Sequence, residues 1–218
     1  MAFDTTGTGC SIVLRHNDVV LSKFEKFTEF GQAEILLPQI KKMLADSAVA
    51  FNELDALFVC VGPGSFTGVR SGIAAARAFA FASPALKVGG ISAFDAYVQT
   101  FEEEDIAEIN AVIIETRRDD FYVQLFDRHL EKKSEPQALM REDIIPQLKG
   151  RLVSLAGDGV ERFLSTPSGL CLHAIKMYDF LPSEALLKAG LKALSAKKLN
   201  FPKPLYLRAP DVSLPKNS

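Results

Sequence analysis

The chain has 218 residues, 48% of them hydrophobic, and its 25 basic and 27 acidic residues leave a formal charge of −2. This length allows one large domain or two small lobes, and the near-neutral charge argues against a dedicated nucleic-acid-binding module. No apolar run reaches the roughly 18 residues of a membrane helix, and no basic-then-apolar leader opens the sequence. Cys10, Cys60 and Cys171 stand apart in apolar contexts, which predicts reduced, buried thiols in a cytoplasmic protein.

The first half of the chain alternates predicted strands and helices. Only three residues precede Asp4, which is short for a first strand of about 5–6 residues and leaves open a native start further upstream. A helix is predicted from Gln32 because Leu36, Ile40, Met43 and Leu44 share one face, and Pro38 is expected to kink it unless the helix begins nearby. The predicted elements are strands at 11–14, 19–27, 57–61 and 87–92, helices at 32–45 and 71–82, and then a polar helix with the acidic run 102–105.

A glycine-rich loop joins the strand 57–61 to a helix of small residues. Its spacing departs from the P-loop, which needs Lys after the last glycine, and from the dinucleotide fingerprint, which needs glycine at position 67. The local pattern predicts a tight strand-to-helix turn with anion-binding capacity, in which Ser65 or Thr67 caps the helix. The candidate anion-binding residues are Gly62, Gly64, Ser65, Thr67, Gly68 and Arg70.

The second half repeats the plan of a hairpin followed by alternating helix and strand. Strands at 111–115 and 121–126 form the predicted hairpin, a strand at 152–156 ends in Gly-Asp-Gly, and a helix at 184–198 precedes a proline-rich tail. This repetition predicts two related α/β lobes. The first lobe covers 1–102 and the second covers 103–218, with the C-terminal segment a candidate for packing back on the first.

Two acidic residues follow predicted strands. Asp4 precedes a Thr/Gly turn, where its carboxylate either orients a metal-bound water or simply accepts hydrogen bonds from turn amides; the second interpretation is favoured. Asp158 could contact a nucleotide, but its spacing from Glu161 favours a capping box for the helix 160–164. The three histidines are far apart and no Cys-x-x-Cys pair occurs, so no metal site and no catalytic residue is predicted.

Four sequence blocks resemble, in order, those of the TsaB (YeaZ) family. The glycine block 62–73 is the most specific of them. The others are Phe-Asp-Thr-Thr at 3–6, Glu-Thr-Arg-Arg-Asp-Asp-Phe-Tyr at 115–122 and Pro-Leu-Tyr-Leu-Arg at 204–208. The resemblance implies a two-lobe actin/Hsp70-like (ASKHA) fold, a cytoplasmic location and a part in forming threonylcarbamoyladenosine beside the tRNA anticodon.

The same resemblance implies a non-catalytic subunit that supports a TsaD-type catalytic subunit. A TsaE-type ATPase belongs to the same complex, tRNA is contacted indirectly, and the chain forms a homodimer when alone. The catalytic relative carries a His-x-x-x-His metal motif, whereas the equivalent stretch 32–38 holds no histidine. No intrinsic cofactor is expected, and ATP or ADP is expected only within the complex.

The two first-lobe helices are expected to lie on one face and to form the partner contact, because small residues allow close helix packing. The alternative is that these residues only cover their own sheet. The predicted contact residues are Leu36, Leu37, Ile40, Met43, Gly72, Ala75, Ala76 and Phe79. A rival function is an ATP-dependent phosphotransferase or ATPase of the same fold that uses Asp4, the glycine loop and Asp158.

Overall fold

Two five-stranded mixed sheets form the frame of the molecule. The computed structural model describes residues 1–28 and 31–208. The strands are β1 (Ala2–Asp4), β2 (Gly9–His16), β3 (Val19–Phe27), β4 (Ala56–Cys60), β5 (Lys87–Ile91), β6 (Ile109–Glu115), β7 (Asp120–Phe126), β8 (Gln137–Met140), β9 (Leu152–Gly157) and β10 (Cys171–Met177). The helices are α1 (Gln32–Asp46), α2 (Phe66–Ala82), α3 (Ala93–Tyr97), α4 (Arg141–Leu148), α5 (Val160–Leu164) and α6 (Ser183–Ser195), and short 3-10 turns lie at 51–53, 98–100 and 103–105.

The two sheets share one topology. In the first, the order is β3-β2-β1-β4-β5, with antiparallel pairing through β3, β2 and β1 and parallel pairing through β1, β4 and β5. In the second, the order is β8-β7-β6-β9-β10, with the same sequence of antiparallel and parallel pairs. The predicted two-lobe α/β fold, a duplicated mixed sheet with flanking helices, is therefore confirmed.

Helices cover both faces of the first sheet. Helices α1 and α2 pack together on one face around Phe3, Ile12 and Leu57, as expected for the two first-lobe helices. Helices α3 and α6 lie on the other face around Phe58, in a core that includes Val112 and other residues of the second sheet. Helices α4 and α5 cover the remaining face of the second sheet. The layers alternate helices and sheets, and the central core is shared by both lobes.

The chain returns to the first lobe after β10. Helix α6 packs against β1, β2, β4 and β5. A side chain at Gly190 would overlap the ring of Phe58, so glycine permits this close approach. Residues 199–208, here called the C-terminal strap, continue along the first lobe, where Asn200 pairs with Gly90 and Leu205 N donates to Val61 O at 2.8 Å. A division at residue 102 thus separates the two sheets, while the first lobe also takes in α6 and the strap.

Several predicted elements differ from the structure. The acidic run 102–105 forms a 3-10 turn and not a helix. Pro38 lies inside α1, in its seventh position. Helix α2 begins at Phe66, five residues before the predicted start. Strands β8 and β10 and helix α4 were not predicted, because β8 is short and β10 alternates exposed and half-buried residues without an apolar run. No helix in 1–28 and 31–208 is long and apolar enough to cross a bilayer.

Candidate functional site

A cleft of about 570 Å³ opens between the two lobes. Its walls come from the turn after β1, the glycine loop and first turn of α2, the β6–β7 hairpin, and the strap. The structure therefore brings together the residues that the sequence singled out at widely separated positions. These are Asp4, Gly64, Ser65, Thr67 and Asp158, and the arginines Arg117 and Arg118 of the 115–122 block line the cleft with them.

Asp4 holds the turn that follows β1. The side chain is 1% exposed, and its Oδ1 accepts hydrogen bonds from Thr6 N at 2.9 Å and Thr6 Oγ1 at 2.7 Å. Burial raises the pKa of the Asp4 carboxyl, although the two hydrogen bonds from Thr6 act in the opposite direction. The interpretation of Asp4 as a turn-stabilising residue is confirmed, since its carboxylate is bonded within its own turn.

Asp158 does not cap a helix. The N-terminal cap of α5 is Gly159, which makes no side-chain hydrogen bond, so the predicted capping box is wrong. Instead, Asp158 Oδ1 accepts a hydrogen bond from Glu115 N at 3.0 Å, which ties the end of β9 to the end of β6. Desolvation by the surrounding protein raises the pKa of Asp158 to about 7, and the nearby carboxyls of Glu115 and Asp4 add to the shift.

Tyr97 forms part of the floor of the cleft and was missed by sequence reasoning. It is 1% exposed at the end of α3, and its ring packs against Tyr178 with centroids 5.9 Å apart. Burial raises the pKa of the Tyr97 hydroxyl, and the carboxyls of Asp158 and Asp4 raise it further. A lone tyrosine after a short strand carries no sequence signal for this position, because the two lobes that surround it are brought together only by the fold.

The glycine loop is shaped by its packing against the turn after β1. A Cβ at Gly64 would lie 2.9 Å from Thr6 Cβ, and a Cβ at Gly68 would overlap Thr5 O and lie 3.0 Å from Thr5 C. Thr5 Oγ1 also donates to Gly68 O at 2.8 Å, in a buried hydrogen bond. These glycines are therefore required by the approach of α2 to the Thr5–Thr6 backbone, whether or not the loop binds an anion.

Other groups in the candidate anion loop have protein partners. Ser65 caps α2 by accepting from Gly68 N at 3.4 Å, which selects Ser65 over the exposed Thr67. The guanidinium of Arg70 lies 3.7 Å from the centroid of the Phe66 ring, and its Nε donates to the Tyr206 hydroxyl at 3.1 Å. The anion-binding role of this loop stays a prediction.

Arg117, Arg118 and Arg208 line the second-lobe side of the cleft, and Arg162 holds Glu115, which lines it as well. Arg162 makes a bidentate ion pair with Glu115, both contacts at 2.7 Å, and lies over the Phe121 ring. Arg208 of the strap pairs with Asp120 and lies over the Tyr122 ring, so the strap reaches from the first lobe to the second. Arg117 and Arg118 are exposed at the hairpin turn. No group of acidic, histidine and cysteine residues suited to a metal ion occurs within the described ranges.

The outer side of α1 and α2 differs from the predicted contact set. Five of the predicted contact residues are buried against their own sheet and are therefore not accessible to a partner: Leu36, Ile40, Met43, Gly72 and Ala76. Leu37 is 51% exposed, and Ala75 and Phe79 are partly buried, Phe79 against the Phe51 ring. The exposed ridge of α2 is formed by Ala74, Ala78 and Phe81, which is 92% exposed.

Comparison with known proteins agrees with this architecture. A family model described as "TsaD: tRNA N6-adenosine threonylcarbamoyltransferase" matches residues 31–147, more than half of the chain. An uncharacterized protein of Mycobacterium tuberculosis (strain H37Rv) is 31% identical over 215 residues, which cover 97% of this chain and 92% of that protein. The tRNA threonylcarbamoyladenosine biosynthesis protein TsaB of Haemophilus influenzae is 28% identical, with 95% and 92% covered.

A solved structure shows the same fold over nearly the whole chain. YeaZ from Pseudomonas aeruginosa superposes with a TM-score of 0.79 at 26% identity, covering 94% of this chain and 98% of that one. The sequence relatives, the family model and this structural match point to one group of proteins. The chain belongs to the TsaB (YeaZ) family.

Proposed function

We propose that this chain is a non-catalytic subunit required for forming threonylcarbamoyladenosine beside the anticodon of tRNA, and that it works by docking to a TsaD-type catalytic subunit. The observation that carries the proposal is a line of exposed apolar residues on the outer side of α2, together with an exposed leucine on α1. These residues are Leu37, Ala74, Ala78 and Phe81, here called the docking surface.

The docking surface has the form of a helix–helix contact. Ala74, Ala78 and Phe81 follow one another at spacings of four and three residues, so they lie along one line of α2. The two alanines allow the backbone of another helix to approach closely, and Phe81 supplies an aromatic anchor of the type that dominates interface energies. Both helices already bury their inner sides in the first-lobe core, which leaves this outer side available for a second protein.

A TsaD-type subunit is a suitable occupant because it is related to this chain. The family model that matches 31–147 spans the docking surface and carries the name of the transferase. Two related chains that present equivalent helix pairs can pack them about a pseudo-two-fold axis, as identical chains do about a true one. The same argument predicts a homodimer through this surface when the catalytic subunit is absent.

The wider assignment follows from this docking role. TsaB relatives are named for tRNA threonylcarbamoyladenosine biosynthesis, and we extend that process to this chain. We also propose that it acts in the cytoplasm and that a TsaE-type ATPase is the third component of the complex. ATP or ADP is proposed to bind only in the assembled complex. Within the cleft, the glycines are explained by helix packing and the Asp4 carboxylate by its own turn, which supports a subunit without catalytic residues of its own.

Introducing a charged side chain into the docking surface by mutation tests the docking proposal. Ala78→Arg adds a long cation to an exposed helix position, so folding is expected to be unaffected while co-purification with the TsaD-type protein from the same genome is lost. Ala196→Arg is the matched control, because Ala196 is exposed at the end of α6, across the sheet from the docking surface. Co-purification of the Ala78→Arg variant at the level of the control would show that the interface lies elsewhere.

The rival phosphotransferase is favoured by one observation: Asp4, the glycine loop and Asp158 line the same cleft. ATP turnover by the isolated chain, with Asp4→Asn as the comparison, separates the two functions. Turnover that requires Asp4 would favour the enzyme, and the docking proposal expects none above background.

A further inference from the structure

The end of the described chain carries a strongly biased charge. Residues 185–208 contain six basic residues and no acidic residue, although the whole chain has slightly more acidic than basic groups. The basic residues are Lys188, Lys192, Lys197, Lys198, Lys203 and Arg208. The near-neutral net charge of the whole chain argued against nucleic-acid binding, but the charges are distributed unevenly, and residues 185–208 are strongly basic.

Four of these lysines are exposed, at the end of α6 and in the strap that follows it. Lys192 lies in its last turn, Lys197 and Lys198 follow it, and Lys203 lies in the strap. Lys188 and Arg208 already have partners within the protein, since Lys188 donates to Gln99 O and Arg208 forms an ion pair with Asp120. We call Lys192, Lys197, Lys198 and Lys203, together with Phe201, the basic surface.

The lysines of the basic surface lack acidic partners within residues 1–28 and 31–208, whereas Lys23, Lys132 and Lys176 all form ion pairs. Cations at the end of a helix also stabilise its dipole, which gives Lys192 and its neighbours a structural role. Lys203 lies beyond the helix between two prolines, and that role does not account for it. A row of uncompensated cations favours a polyanionic partner.

An exposed aromatic residue lies between Lys198 and Lys203 in the chain. Phe201 is 53% exposed, and the guanidinium of Arg77 lies 5.6 Å from its ring centroid. Arg77 is itself held by two hydrogen bonds to Pro202 O, at 2.7 and 3.2 Å, so the strap is fixed to α2 beside the ring. Basic groups interleaved with an exposed aromatic side chain are typical of surfaces that bind unpaired nucleotides, where phosphates meet the cations and a base stacks on the ring.

We infer that the basic surface binds the sugar-phosphate backbone of the tRNA and that Phe201 stacks on an unpaired base. This inference rests on the proposed function for the choice of RNA, and it makes the chain a direct tRNA-binding subunit. Phe81 of the docking surface lies one helical turn after Arg77 on α2, so tRNA held at the basic surface would run along the edge of a docked catalytic subunit.

Charge reversal in the strap region provides the test. The double variant Lys198→Glu/Lys203→Glu changes two exposed residues outside α6, and Lys133→Glu/Lys149→Glu changes the net charge equally in the second lobe. Binding of a fluorescein-labelled tRNA transcript is measured by anisotropy between about 50 and 200 mM salt, for the full chain alone and for its complex with the TsaD-type protein. The first variant should lose about tenfold or more in affinity, and its salt slope should fall by about two, because each lost phosphate contact removes about one.

The control variant should bind tRNA like the wild type, and Phe201→Ala should weaken binding without changing the salt slope. Equal affinity of the strap variant and the control would overturn the inference. Competition by polyglutamate as strong as by unlabelled tRNA would also overturn it, since the surface would then recognise acidic polypeptides. Co-purification with the TsaD-type protein is scored separately, so a failure of the docking proposal is distinguishable from a failure of tRNA binding by this chain.

Discussion

Gly68→Ala is expected to destabilise the protein although alanine is the better helix former. The substitution gains about 1 kcal/mol of helix propensity at most. Its methyl group would overlap Thr5 O, a backbone atom that cannot turn away, and such overpacking costs about 1–3 kcal/mol. Moving α2 outward to relieve the overlap would also weaken the buried hydrogen bond from Thr5 Oγ1 to Gly68 O, worth about 1 kcal/mol. We expect a net loss of about 2 kcal/mol.

Urea unfolding followed by circular dichroism measures this loss, and the melting temperature should fall by about 4–8 °C for a chain of this size. Ala74→Gly is the matched control on the exposed side of the same helix, where only propensity acts and about 1 kcal/mol is lost. A Gly68→Ala protein as stable as the wild type, or more stable, would refute the argument that close packing against the β1 turn explains the glycine loop.

Two further predictions concern titratable groups. The folded-state pKa of Asp158 is raised to about 7, so unfolding releases a proton between about pH 4 and pH 7, and stability should fall over that range and level off above it. In urea unfolding at a series of pH values, Asp158→Asn should remove on the order of 4 kcal/mol of this fall, and an unchanged pH profile would contradict the assignment. Burial raises the pKa of Cys10 to about 12 and that of Cys60 as well. The prediction of three buried thiols is wrong for Cys171, which is exposed on β10. A thiol reagent at pH 8 should therefore modify one cysteine per folded chain rapidly and the other two only after denaturation, and three equal rates would contradict the buried positions.

More of the fold than of the cleft could be predicted from the sequence. Apolar runs at 57–61 and 111–115 and the two hairpins identified the centres of both sheets, because buried central strands leave continuous hydrophobic segments. Edge strand β10 left no such signal, since alternate residues face solvent. The helix that begins at Gln32 followed from helical spacing, but which residues of the two first-lobe helices face outward did not. Ile40 and Ala76 look like contact residues in sequence and are buried in the structure.

Long-range pairs explain the remaining misses. Asp158 fits a capping box by local spacing, yet its oxygen bonds Glu115 N, 43 residues earlier. Tyr97 gains its environment from two lobes, and Arg70 meets Tyr206 across 136 residues. The basic surface was likewise missed, because the net charge of the whole chain does not show where the charged residues lie.

The return of α6 to the first sheet has a consequence for biogenesis. Phe58 and its neighbours are only partly covered, by α3, on one side of that sheet until residues 183–195 have emerged from the ribosome. All strands of the second sheet emerge before α6, so that sheet can assemble while the N-terminal sheet still awaits its cover. A nascent chain stalled before residue 183 should consequently recruit chaperones at its N-terminal half.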